Sequence, residues 1–189
     1  MRLRRVVQRL TPEFSRNHFE LLGLPVAFAV DAAALDRAYR ELQGRVHPDR
    51  HASASEAQRR VALQWAARAN EAYRTLRSPV DRARYLLGLK GYDTGEESNT
   101  SMPPDFLMQQ MEWRESVEAG RAARDARSLE RLRGEIEASR AEMHALLARA
   151  LGADRNYDAG CSLVRKLRFL DKIEAEIDDA LEALLEGAR

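Results

Sequence analysis

Along this chain apolar residues recur at steps of three and four, and no segment shows the two-residue alternation of a half-buried strand. Leu35, Tyr39, Leu42 and Val46 make one such stripe. It predicts a helix that starts after an N-cap at Asp31, with Arg37 and Arg40 turned away into solvent. Before it, NHFELL (17–22) reads as a short helical turn closed by Gly23. Ala62, Trp65, Ala66, Ala69, Tyr73 and Leu76 predict a second long helix, opened by a capping box at Ser53 and Glu56. Ser78-Pro79 stops it and starts a third, DRARYLLGL, with proline at the first helical position. GYDTGEESNTSMPP (91–104) has no periodicity and reads as a linker. Three more helical patterns follow, at roughly 104–122, 126–151 and 157–187. The second of these repeats Leu129, Leu132, Ile136, Met143, Leu146 and Leu147. The third repeats Leu163, Leu167, Leu170, Ile177, Leu181 and Leu184. Apolar stripes of that length have to be buried against one another, which predicts a three-helix bundle.

The composition strengthens this all-α reading. Ala, Leu, Glu and Arg dominate, and they lose little side-chain freedom on a helix. No apolar run approaches the roughly 20 residues that would span a bilayer. The one cysteine, Cys161, excludes an internal disulfide or a thiolate cluster and suits a reducing compartment. Charge divides the chain: residues 1–90 carry 17 Lys/Arg against 9 Asp/Glu, and residues 91–189 carry 14 against 21. Such asymmetry points to two modules with different partners, or modules that face each other. The start, MRLRRVVQRLTPEF, lacks the long apolar core of a secretory signal and reads as an N-terminal extension, although its arginines also suit a mitochondrial presequence.

The run RVHPDRH (45–51) raises the question of chemistry. His47, Asp49 and His51 are metal-ligand types, but zinc needs three or more well-placed protein ligands, and Pro48 breaks the helical register that would bring the histidines together. Acid/base catalysis needs a pocket and a partner group, and neither His18 nor His144 is an obvious one. The third possibility is a loop shaped for another protein, placed between two antiparallel helices.

His-Pro-Asp in that position, preceded by AYRELQGRVHPDR and followed by NEAYRTLRSP, resembles the J-domain of DnaJ-type co-chaperones. The resemblance implies that the loop and the basic helix dock on a DnaK-type ATPase chaperone and stimulate its ATP hydrolysis. His47, Pro48 and Asp49, with Arg37, Arg40, Arg45 and Arg50, are the residues it assigns to that contact. Physically, the arginines steer toward an acidic surface. Asp49 offers a carboxylate to a partner arginine, and Pro48 stiffens the loop so that docking costs less entropy.

The second half carries its own signal. On a helical wheel Phe106, Gln110, Trp113 and Val117 fall within about 60° of arc. Leu107, Met108, Met111, Glu112 and Glu115 occupy the opposite side, over about 140°. A stripe that mixes Met and Leu with carboxylates predicts a recognition surface of adaptable apolar contacts and charge selection. Phe169, in VRKLRFLDKI, falls roughly opposite the Leu163–Leu167–Leu170 stripe, which predicts a surface anchor. DFLMQQMEWRE and VRKLRFLDKI resemble the C-terminal domain of HscB-type (Jac-type) co-chaperones, and with the J-domain the resemblance covers nearly the whole chain from about residue 17. It implies that the bundle binds the iron–sulfur scaffold protein IscU and that the J-domain delivers it to the chaperone HscA. Leu107, Met108, Met111, Glu112, Glu115 and Phe169 match the family's scaffold-binding patch. The chain departs from the family pattern in having Ala119 where an acidic residue often stands, and Met111 where leucine is commoner.

The expectation is therefore an all-α adaptor: N-terminal extension 1–16, J-domain 17–90, linker 91–102, and three-helix domain 103–189. It has no catalytic residues, metal ligands or cofactor of its own; the cysteine-rich metal segment of eukaryotic relatives is missing. Its partners are HscA and an IscU-type scaffold, not nucleic acid or membrane. It acts in the bacterial cytoplasm, or in the mitochondrial matrix of a eukaryote. Two other classes compete with this one. A general J-protein handling unfolded clients would bind many denatured chains through Met108 and Met111. A nucleic-acid-binding protein using the arginine-rich start would lose binding steeply with salt.

Overall fold

The computed structural model describes residues 16–46, 55–95 and 102–186. Among them are seven α-helices and no strand: α1 (His18–Leu21), α2 (Ala32–Val46), α3 (Glu56–Arg77), α4 (Pro79–Leu89), α5 (Pro104–Ala123), α6 (Ala126–Leu151) and α7 (Tyr157–Glu186). The chain divides into two compact units, Met1–Leu86 and Leu87–Arg189.

In the first unit the helix starts are set by side chains that satisfy backbone N–H groups left over at a helix end. Asn17 accepts from the Glu20 N–H, and the Glu20 carboxylate accepts from the Asn17 N–H, a reciprocal capping box for α1. Asp31 accepts from the Ala33 N–H at 2.9 Å at the start of α2. The box that opens α3 is Ser55 with Gln58, two residues later than the expected Ser53 and Glu56. Both pairs obey the same spacing rule, and spacing alone does not choose between them. The core holds Phe19, Leu35, Trp65, Ala69, Leu76 and Ala83, all nearly or wholly buried. Each large apolar side chain removed from water in this way contributes about 1.5–3 kcal/mol.

Antiparallel α2 and α3 meet through rings and hydroxyls. Tyr39 and Tyr73 stack with centroids 4.1 Å apart. The Tyr39 hydroxyl donates to Asn70 Oδ1 at 2.8 Å and accepts from the Gln43 amide at 2.8 Å. The Tyr73 hydroxyl donates to Asp36 Oδ1 at 2.8 Å, and Arg77 reaches the same oxygen at 3.3 Å. On the other side, His18 stacks on Tyr85 at 4.2 Å, and its backbone N–H donates to the Tyr85 hydroxyl. Burial holds the His18 imidazole below its ordinary pKa, against an opposing pull from Glu71.

In the second unit α6 packs along α7 and α5 lies against both. The core is aliphatic: Leu129, Leu132, Ile136 and Leu147 from α6, and Val164, Leu167, Leu170, Ile173 and Ile177 from α7. Gly120 lets α5 approach closely, since a Cβ there would lie 2.8 Å from Leu129 Cδ2. Leu146, expected in the core, is instead exposed, because its neighbour Leu147 takes the inward position. The linker expected over 91–102 has its first residues fastened to this unit. Arg165 donates to the Thr94 carbonyl at 2.8 Å, and the rings of Tyr92 and Tyr157 lie 5.1 Å apart. Ion pairs line the rim: Arg133 with Asp178 at 2.6 Å, and Arg140 with Asp171 and Glu174.

Candidate functional site

Two surfaces carry the residues singled out from the sequence. On α2, Arg37, Arg40 and Arg45 are all exposed. Arg37 stands 3.9 Å from Asp31, and Arg45 stands 3.8 Å from Glu41 one turn away. Arg40 Nε donates to the Asp36 carbonyl at 3.2 Å. Exposed pairs of this kind contribute at most about 1 kcal/mol each. His47, Pro48, Asp49 and Arg50 lie outside the described residues.

The second surface is on α5. Pro104 at its first position needs no N–H partner there. One face of the helix buries Phe106, Trp113, Val117 and Gly120; of the arc the wheel predicts, Gln110 is only half-buried. The other face leaves Leu107 42%, Met108 63% and Met111 63% exposed, with Glu112 and Glu115 also in solvent. This is a continuous strip of three unburied apolar side chains edged by two carboxylates. The Glu112 carboxylate accepts from the Gln109 amide at 3.1 Å, and its backbone carbonyl accepts from the Ser116 hydroxyl at 2.8 Å.

Phe169 departs from its expected place. It is not a surface anchor standing off the core: only 9% of it is exposed. It lies edge-on to Phe106 at 5.9 Å and stacks on Trp113 at 6.4 Å, with the Phe106 and Trp113 rings themselves edge to face at 6.1 Å. The reason is that α7 packs against two helices. Leu167 and Leu170 of the leucine stripe are buried too, on a different arc from Phe169, whose ring meets Phe106 and Trp113 of α5. The wheel registers only that these arcs differ. Two cations cap the aromatic block, Lys166 over Phe106 at 5.1 Å and Arg114 over Phe169 at 5.3 Å. Arg114 also stands 3.9 Å from Glu176. The part played by Arg114 has no local sequence signal, because its partners lie more than 50 positions away. The structure thus brings Leu107, Met108, Met111, Glu112 and Glu115 together, with Phe169 as part of the platform behind them.

Among the described residues no group of three or more His, Cys, Asp or Glu side chains is placed to hold a metal ion. Cys161 is buried, and that burial pushes its thiol pKa up, away from thiolate reactivity. No described helix is long and apolar enough to cross a membrane.

Known proteins place both halves. Residues 17–85 match the DnaJ domain, and residues 102–178 match the family described as HSCB C-terminal oligomerisation domain. The co-chaperone protein HscB homolog of Ralstonia nicotianae is 50% identical over 170 residues, which are 90% of this chain and 97% of the relative. Its counterpart in Burkholderia multivorans is 51% identical over 173 residues, 89% of this chain and 95% of that one. Among solved structures, chaperone HscB from Vibrio cholerae superimposes with a TM-score of 0.77 at 38% identity, covering 89% of this chain and 99% of that one. With both modules matched in order and nearly full-length relatives at about half identity, the chain belongs to the HscB family of J-domain co-chaperones.

Proposed function

We propose that this co-chaperone serves iron–sulfur cluster assembly by holding an IscU-type scaffold on the outer face of α5 while its J-domain engages an HscA-type chaperone and raises that chaperone's ATPase rate. The observation that carries the reading is the strip Leu107–Met108–Met111. A helix in a closed bundle has no structural need to leave three large apolar side chains in water, and such a strip costs solubility unless a partner covers it. Glu112 and Glu115 at its edge select a partner with basic residues opposite, which adds specificity and association rate more than affinity. Phe106, Trp113 and Phe169 keep the helix from yielding when that partner binds, so little ordering is left to do on docking.

On the J-domain side, Arg37, Arg40 and Arg45 with Arg50 supply the steering charge, and His47, Pro48 and Asp49 supply the loop that contacts the chaperone. Hydrolysis is the partner's chemistry; this chain brings the two proteins together. The setting is the bacterial cytoplasm, whose reducing conditions suit a chain with one unpaired, buried cysteine.

The deciding experiment measures ATP turnover by the cognate DnaK-type chaperone with wild-type and Asp49→Ala protein, each with and without the scaffold. Stimulation that is lost in Asp49→Ala and grows synergistically with scaffold is the expected result. Stimulation indifferent to scaffold would leave the J-domain reading standing and return the α5 surface to an unknown cargo. A chaperone that does not respond at all would overturn the proposal.

A further inference from the structure

The two methionines of α5 have a property that the function above does not require. Leucine in both places would cover the same apolar area, since Leu and Met exchange with little cost in packing. Methionine adds a thioether that peroxide can oxidise, and oxidation follows exposure. Met108 and Met111 are each 63% exposed and stand three residues apart, so they lie side by side on one face of the helix. Met102 and Met143 are only half-buried to solvent's reach, and neither belongs to the exposed apolar set.

We propose that Met108 and Met111 form a paired methionine-oxidation site at which hydrogen peroxide weakens scaffold docking; the effect on docking, though not the modification itself, rests on the function proposed above. The chemistry balances within the two reactants. A sulfur lone pair attacks one peroxide oxygen, the O–O bond breaks, and a sulfur–oxygen bond forms. The attacked oxygen gives up its proton to the other oxygen, which leaves as water. Sulfur is oxidised by two electrons and the peroxide is reduced by two. Each event turns a flexible apolar side chain into a polar one with a strong acceptor oxygen. Here that oxygen joins a strip already edged by Glu112 and Glu115, so a partner shaped for an apolar centre meets acceptors it has no donors for. Burying an unpartnered polar group is unfavourable, and the contact loosens. Methionine sulfoxide reductases reverse the change, which makes the site a switch, not a lesion. Iron and sulfide are themselves oxidised by peroxide, so the same reagent that threatens the cargo would disengage its carrier.

The test exposes the full chain to a limited dose of hydrogen peroxide. Peptide mass spectrometry follows each methionine, and calorimetric titration measures affinity for the IscU-type scaffold before and after treatment. Met108 and Met111 should each gain one oxygen before Met102 and Met143 do, and affinity should fall about tenfold or more. Methionine sulfoxide reductases should restore it. In M108L/M111L, whatever its own starting affinity, the same treatment should change binding by less than about twofold. The proposal is overturned if Met102 or Met143 oxidises first, if affinity survives with both sulfoxides present, or if M108L/M111L loses as much as wild type. Untreated wild-type protein that bound no scaffold would instead remove the function proposed above and the docking consequence with it, leaving the order of oxidation to be read by mass alone.

Discussion

In the α2–α3 hairpin the helices are joined by stacked tyrosines and by side-chain hydrogen bonds, whereas α6 and α7 are joined by leucine and isoleucine with ion pairs kept to the rim. Fully buried side chains on α2 are few, Leu35 and Val46, so apolar packing alone would hold that hairpin loosely. Apolar contact is nondirectional and tolerates small slips of one helix along another. A hydrogen bond does not, because it weakens steeply when its geometry changes. The Asp36–Tyr73 and Tyr39–Asn70 bonds therefore fix register as well as contributing stability. In the proposed function that suits a J-domain that docks on a chaperone in one pose. The bundle, in the same proposal, has only to present one face of α5, and packing density suffices for it.

The largest effect is expected at the aliphatic seam. Ile136→Ala should destabilise the second unit by about 2–5 kcal/mol, the range for opening a cavity at a fully buried aliphatic position. Denaturant titration followed by circular dichroism measures it. Scaffold binding should fall with the unfolding while chaperone stimulation in the absence of scaffold persists. A loss below about 1 kcal/mol would mean that the seam is not what holds the bundle.

Tyr73→Phe tests the polar side at smaller scale. It keeps the ring stack and removes only the hydroxyl that donates to Asp36 and accepts from Arg77, for an expected cost of about 0.5–1.5 kcal/mol. The sharper readout is function: chaperone stimulation should drop more than stability does if register is what these bonds secure. An unchanged stimulation rate would reduce the network to ordinary stability.

The smallest effect is a pH slope confined to the first unit. Burial lowers the His18 pKa in the folded state, so the unfolded chain takes up a proton first as pH falls. Stability is unaffected well above the ordinary imidazole pKa of about 6.5 and declines as pH passes below it toward the depressed folded value. Melting temperature measured from pH 7.5 down to 5 should fall less steeply in His18→Phe than in wild type. Parallel curves would show that this imidazole is hydrated when folded.

Much of this was legible in the sequence. Helix positions are legible because apolar periods of three and four run long in α3, α6 and α7. The α5 surface was readable because Met and Leu next to Glu make no sense on a face that is wholly buried. What stayed hidden involves partners far apart in the chain. The Asp36–Tyr73–Arg77 and Tyr39–Asn70–Gln43 groups join residues about thirty to forty positions apart, and no spacing rule marks them. The place of Phe169 escapes the pattern for a related reason: a wheel drawn for one stripe cannot show that a helix touching two neighbours buries a wider arc. Leu146 and Leu147 show the limit at closest range, since adjacent leucines offer the periodicity two choices and only packing takes one.

The two tryptophans have a practical consequence. The chain holds just two, and they fall one to each unit. Trp65 is fully enclosed in the first, and Trp113 lies 7% exposed in the second, stacked on Phe169 behind the Met108–Met111 strip. Each half thus carries its own intrinsic fluorophore, with no label to attach. Replacing Trp65 by phenylalanine leaves a chain whose tryptophan emission, excited beyond the tyrosine absorption, comes from the second half alone. Light from Trp113 then reports events on α5 in real time, through the change in polarity and ring packing at its back.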